Sequence, residues 1–326
     1  MNVATSNPAG VAPGQRLSER LAIAAGDIKL SHSIFAMPFA LLASFLARPA
    51  RTTWSQFGVA LVLVVACMFI ARSWAMLINR LADRLLDARN PRTARRAFAS
   101  GRLTPAFGFA ISLSLGASFL VVTSAFWFLF ANPWPLLLSI PVLAWIGLYS
   151  FTKRFTWACH LFLGTSLAAS PLAAAIAINP ACLGLPYGQP PDVPAGTRAA
   201  LWLLAAMVTC WVAGFDIIYS LQDVDQDRNE RLHSVPSRLG VRGAIWFSRA
   251  LHVLAFGFLS LAALAEPRLG TIFWFAVGLV GLLLVVEHAI LARRGKAGLD
   301  AAFFTMNGLV SVVVGVLGIV GTLTAL

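Results

Sequence analysis

Hydrophobic positions in this chain run continuously over long stretches and do not alternate with polar ones. Stretches of about 20 apolar residues, enough to cross a bilayer core as helix, lie near 33-47, 57-78, 106-131, 133-151, 157-178, 199-221, 246-265, 270-291 and 303-326. Within lipid the backbone must satisfy its own hydrogen bonds, which leaves helices or a closed barrel, and unbroken apolar runs select helices. The pattern therefore predicts an all-α, polytopic membrane bundle of nine transmembrane helices. Ahead of it, residues 1-15 read as a disordered tail, and RLSERLAIAAGDIKL (16-30) has the periodicity of a helix lying on the membrane surface. Residues 16-326 then form a single transmembrane domain.

Composition agrees. Of the 326 residues, 59% are hydrophobic and 12% charged, outside the usual range of a soluble domain. A net charge of +12 could suggest a nucleic-acid partner. Its distribution excludes one: the segments on the side of the N-terminus carry 20 Lys and Arg and the opposite segments 4, with Arg72 inside a span. That asymmetry places the N-terminus in the cytoplasm and, after nine spans, the C-terminus on the far side of the membrane. Cys67, Cys159, Cys182 and Cys210 show no paired spacing and read as packing residues.

Unusual polarity concentrates at the cytoplasmic helix ends. On a helix each residue turns 100°, so Asn79, Asp83 and Asp87 lie along one face. If the sixth helix continues to residue 227, Asp216, Asp223 and Asp227 form a second ridge with Tyr219 beside it and Asp225 pointing away. Crowded carboxylates repel unless a cation lies between them. Oxygen ligands of this kind suit Mg²⁺, which takes one or two carboxylates together with substrate phosphate oxygens. A diphosphate substrate follows, with Lys153 and Arg154 as donors to its oxygens. A single DxxxD at a helix end is most often a solvated surface; two on one side of a bundle point to a shared site.

These residues resemble the UbiA-type intramembrane prenyltransferases over roughly residues 28 to 325. The resemblance is carried by IKLSHSIFAMPFAL, the NxxxDxxxD of Asn79, Asp83 and Asp87, NPRT at 90 to 93, YSFTKRFTWACHLFLG, DIIYSLQDVDQD, LHSVPSRLG and FFTMNG. It implies nine helices, two Mg²⁺ ions, and a site facing the cytoplasm with a lateral opening for a lipid tail. Asn79, Asp83 and Asp87 correspond to the first metal motif, Asp223 and Asp227 to the second, Lys153 and Arg154 to diphosphate ligands, and Tyr219 to the pocket wall. Many members carry NDxxD where this chain has Arg80, and ARRAFASG replaces the more usual NRPLPxG.

The expected activity is Mg²⁺-dependent transfer of a polyprenyl chain from its diphosphate to an aromatic acceptor such as 4-hydroxybenzoate, in ubiquinone biosynthesis. A futalosine-derived acceptor in menaquinone biosynthesis is the alternative. Asp216 or Asp223 would take the ring proton, Arg72 and His233 would bind acceptor or diphosphate, and His32 and Ser33 would be interfacial anchors. His160 and Asn307 read as hydrogen-bonding groups between helices, and Glu287 with His288 as an interfacial pair. Polar groups in a bundle also suit an ion-coupled transporter, although transport sites lie near the midplane on broken helices.

Overall fold

A computed structural model describes residues 16–28, 35–295, 299 and 301–325. The tail at 1-15 and the residues around His32 and Ser33 lie outside them. All described secondary structure is helical. α1 (Leu17–Ile28) is the expected short helix ahead of the bundle. It is followed by α2 (Met37–Ala47), α3 (Trp54–Arg89), α4 (Pro105–Phe130), the single turn α5 (Trp134–Leu137) and α6 (Ser139–Thr152). Then come α7 (Cys159–Ile178), α8 (Thr197–Ser220), α9 (Val224–Asn229), α10 (Val235–Ala265), α11 (Gly270–Arg294) and α12 (Asn307–Thr324).

Seven of the described helices are long and apolar enough to cross a membrane. The remaining two apolar runs, expected at 33-47 and 133-151, correspond to the shorter α2 and to α5 with α6. At 1.5 Å per residue, the 11 residues of α2 and the 14 of α6 rise about 16 and 21 Å, short of a full bilayer core.

Local chemistry sets the helix ends. α3 starts at a capping box between Thr53 and Gln56 and runs without a break through Arg89. α10 starts at a second box between Ser234 and Ser237 with Pro236 in its first turn, well ahead of the apolar run expected from 246. Ala131, with φ 54°, ends α4, and the Asn132 amide that follows donates to the Ile176 and Ala177 carbonyls at the end of α7. Those two bonds tie the end of α4 to the end of α7 and satisfy carbonyls left free there.

α8 is the central helix and packs on both α7 and α10. Its inner face carries Trp211 and Phe215, which meet Phe39 of α2 and Phe35 in tilted ring contacts. Bare carbon on the outer surface, such as Phe128, Val121 and Phe275, is left for lipid. At Gly164 of α7 the backbone of α8 comes so near that a Cβ would lie 2.3 Å from the Thr209 carbonyl oxygen. This close approach positions the start of α7 and the end of α8, where His160 and Asp216 lie.

Candidate active site

Because α3 continues to Arg89, Asn79, Asp83 and Asp87 do share one face, and Asn79 Nδ2 donates to Asp83 Oδ2 at 3.2 Å. The second ridge departs from a continuous helix. α8 stops at Ser220, a 3-10 turn covers Leu221–Asp223, and α9 resumes the helix. The change of pitch keeps Asp223 and Asp227 facing the first cluster and leaves Asp225 exposed, while Asp216 borders the same chamber without a Lys or Arg partner among the described residues. Asp216 bonds to His160 Nδ1 at 2.6 Å instead.

The two clusters meet in one polar cavity of about 200 Å³, whose wall includes Asn79, Asp83, Asp87, Asp223 and Asp227. Each of the four acids has a cation of its own. Arg154 Nη2 lies 2.9 Å from Asp83, and Arg96 Nη1 donates to both oxygens of Asp87 at 2.8 and 2.9 Å. Arg92 forks onto Asp223 at 3.1 and 2.6 Å, with Asn90 adding a bond at 3.2 Å, and Lys153 Nζ lies 2.6 Å from Asp227. Burial weighs against the charge on Arg92 and on Lys153, but the adjoining carboxylates outweigh it, and both pKa values rise above their ordinary level.

This polar chamber opens into an apolar cavity of about 700 Å³ between α3, α4, α6, α7 and α8. Phe119, Phe126, Met68, Ile146 and Leu163 are among the side chains lining it, while Asn79, Arg92, Tyr149, Asp216 and Tyr219 border both spaces. Arg72 reaches the apolar cavity, and its buried Nε has no hydrogen-bond partner among the described residues. A cavity of this size is ample for a small-molecule ligand with an extended apolar part.

Among the described residues, no three acidic, histidine or cysteine side chains converge tightly enough to hold a metal unaided. The donor set nevertheless fits Mg²⁺. That ion needs only one or two carboxylates when substrate phosphates and water complete its shell, all the acids here present hard oxygen, and Asp227 Oδ2 is buried without a hydrogen-bond partner among the described residues.

Asn79, Asp83, Asp87, Lys153, Arg154, Asp216, Tyr219, Asp223 and Asp227 are thus brought together, with Arg72 one chamber further in. His233 is not. Its side chain is exposed and outside both cavity walls, because its backbone N–H is fixed to the Lys153 carbonyl at 2.7 Å. Glu287 and His288 are not an interfacial pair: Glu287 is 1% exposed, and its carboxylate accepts from Asn307 Nδ2 at 3.0 Å inside the bundle. Asn90, Arg92, Arg96 and Tyr149 were not assigned roles from the sequence, although NPRT directly follows the first acid helix and was the available signal.

The family model that matches residues 36–309 is that of the UbiA prenyltransferase family. The chain belongs to this family. A 4-hydroxybenzoate octaprenyltransferase of Saccharophagus degradans is 31% identical over 260 residues, 78% of this chain and 77% of that one. Its counterpart in Pseudoalteromonas translucida is 30% identical over 72% of this chain and 73% of the relative. Among solved structures, a UbiA homolog from Aeropyrum pernix K1 superposes with a TM-score of 0.74 at 30% identity, covering 90% of this chain and 98% of that one. A UbiA homolog from Archaeoglobus fulgidus, solved bound to GPP and Mg²⁺, has a TM-score of 0.65 at 14% identity over 92% and 99% of the two chains, and shares the fold. The UbiA chain described here is an integral membrane prenyltransferase, and the transporter alternative is not supported.

Arg80, which stands where many UbiA members carry an acid, is buried and turned toward α1. Its Nε lies 3.7 Å from Asp27 Oδ2 and also donates to the Asp27 carbonyl at 3.4 Å. Arg80 thus joins the N-terminal helix to the first acid motif, while its side chain also borders the polar chamber beside Asn79.

Proposed function

We propose that this protein transfers a polyprenyl group from polyprenyl diphosphate to the ring of an aromatic acid of the 4-hydroxybenzoate type, with Mg²⁺, in quinone biosynthesis. The observation that carries this reading is the polar chamber, in which Asp83, Asp87, Asp223 and Asp227 are each paired with a basic side chain, opening directly into a larger apolar cavity. One substrate with a diphosphate head and a hydrocarbon tail matches both.

Asn79, Asp83, Asp87, Asp223 and Asp227 would hold Mg²⁺. When bound, it supplies positive charge to the leaving diphosphate. Lys153, Arg154, Arg92 and Arg96 donate to the remaining phosphate oxygens, and their charge stabilises the leaving group as the allylic C1–O bond breaks. The apolar wall keeps water from the electrophilic carbon. Arg72, a cation in an apolar wall with an unpartnered Nε, is suited to pair with the acceptor's carboxylate. Tyr219 and Tyr149 close the junction of the two chambers, and Asp216 or Asp223 receives the ring proton. The sequence reading gave His233 a role with substrate; any such role would need a rearrangement of its loop. We place the protein in the bacterial inner membrane as one domain with nine spans, α2 and α6 being the short ones. The N-terminus is cytoplasmic, as the basic asymmetry requires.

Purified protein in detergent, with geranyl diphosphate and a panel of aromatic acids that includes 4-hydroxybenzoate and a futalosine-derived acceptor, tests this by product mass. A prenylated acid should form with Mg²⁺ and stop with EDTA. Absence of any prenylated product from the whole panel overturns the reading.

A further inference from the structure

The acids of the two ridges are not alike. Asp83, Asp87, Asp223 and Asp227 each face a guanidinium or ammonium within 2.9 Å. Asp216, at the junction of polar and apolar space, has no Lys or Arg partner among the described residues. Its one side-chain partner is His160, 3% exposed at the start of α7. The state of that ring follows from its other contact. The Val235 N–H, at the start of α10, donates to His160 Nε2 at 3.3 Å. Nε2 therefore presents a lone pair, the proton is on Nδ1, and the Nδ1–H donates to Asp216 Oδ2.

A carboxylate forked by a guanidinium has its lone pairs occupied and its charge balanced, which makes Asp223 a poor proton acceptor. A carboxylate held by a single imidazole N–H keeps a whole oxygen for other work. We propose that Asp216 is the base that takes the ring proton of the acceptor, and that His160 is its positioning residue, holding Oδ2 so that Oδ1 faces the chamber junction. The inference rests on the prenyl transfer proposed above and chooses between its two candidate bases. In the step, the ring carbon bonds to C1 of the prenyl group. The C1–O bond breaks with its electron pair leaving on diphosphate, the ring C–H proton passes to Asp216 Oδ1, and the C–H electrons restore the aromatic ring. Both anchors of the imidazole are on other helices, Asp216 on α8 and Val235 on α10, so the aim of the carboxylate depends on the packing of three helices.

The test compares wild type with Asp216→Asn, His160→Phe and His160→Asn, using acceptor with protium or deuterium at the reacting ring position. Asp216→Asn keeps the shape of the side chain and should lower kcat on the order of 10²- to 10⁴-fold. It should leave the KM for prenyl diphosphate unchanged, and a primary isotope effect absent from wild type should appear as proton loss becomes slow. His160→Phe should lower kcat about tenfold, the loss of one hydrogen bond to a charged group, with the same isotope effect. His160→Asn, whose amide can donate in place of Nδ1–H, should restore most of the rate. An active wild type with undiminished kcat in Asp216→Asn, or variants slowed without an isotope effect and without rescue by Asn, overturns this assignment alone. A wild type inactive on every aromatic acid overturns the prenyl-transfer reading, and this inference with it.

Discussion

Lys153 offers a direct measure of how charge is balanced in the polar chamber. Its ammonium lies 2.6 Å from Asp227 Oδ1, and the Asp227 side chain is 2% exposed, with Oδ2 lacking a hydrogen-bond partner among the described residues. Removing one member of a buried pair leaves an uncompensated charge and costs about 3–5 kcal/mol. Lys153 is itself 36% exposed, so water already screens part of the interaction. About 2 kcal/mol is the figure expected for Lys153→Ala without metal, or a fall in Tm of about 4 °C at roughly 2 °C per kcal/mol for a chain of this size. A divalent cation at Asp227 replaces the missing charge. At a hundredfold excess over Kd, binding contributes about 2.7 kcal/mol; in wild type part of this is spent displacing the ammonium, and in the variant none is. The Mg²⁺-induced rise in Tm should therefore be larger in Lys153→Ala than in wild type. Thermal unfolding in detergent, with EDTA or saturating MgCl₂, measures both quantities, and Lys153→Gln, which keeps a donor but no charge, should follow Lys153→Ala. Equal Mg²⁺ gains in variant and wild type would refute the view that this lysine and the metal compete for one carboxylate.

Two other substitutions probe different parts of the reaction space. Arg72→Leu should raise the KM for a carboxylated acceptor by at least about tenfold, the worth of a charge-assisted bond, while an acceptor without a carboxylate is unaffected and the KM for prenyl diphosphate stays unchanged; steady-state kinetics with the paired acceptors decides. Gly164→Ala sets a Cβ against the Thr209 carbonyl oxygen and must move α7 away from α8. The loss should be about 1–3 kcal/mol of stability, together with a lowered kcat because His160 and Asp216 are on those two helices, read from a melting curve and a turnover assay on the same sample.

Much of the protein was legible before any coordinates. Apolar run length marks a helix locally, and every expected run has a helix within it, though α2 and α6 are too short to count as full spans by length alone. The start of α10 is not evident from the apolar run because its first turns, VPSRL, are short and polar and are set off from the rest of the helix by a kink at Gly240, with φ 70°. The ridge of Asn79, Asp83 and Asp87 could be read from spacing because α3 stays helical to Arg89. The second ridge could be read only in part: Asp223 and Asp227 face the first cluster, but the turn at Leu221–Asp223 changes the pitch, and the pairing of Asp216 with His160 is not visible in the spacing.

What the sequence by itself determined is what depends on neighbours a few residues away: the membrane helices, the side on which basic residues gather, and the spacing of acids along one helix. Only the tertiary structure decided which acid meets which cation, that Asp216 goes to His160 56 residues away, and that Glu287 turns inward to Asn307. The physical reason is that a helix repeats every 3.6 residues whatever surrounds it. The partner across the bundle depends instead on which faces pack together, and that is settled by close contacts such as Gly164 against Thr209, between residues far apart in the chain.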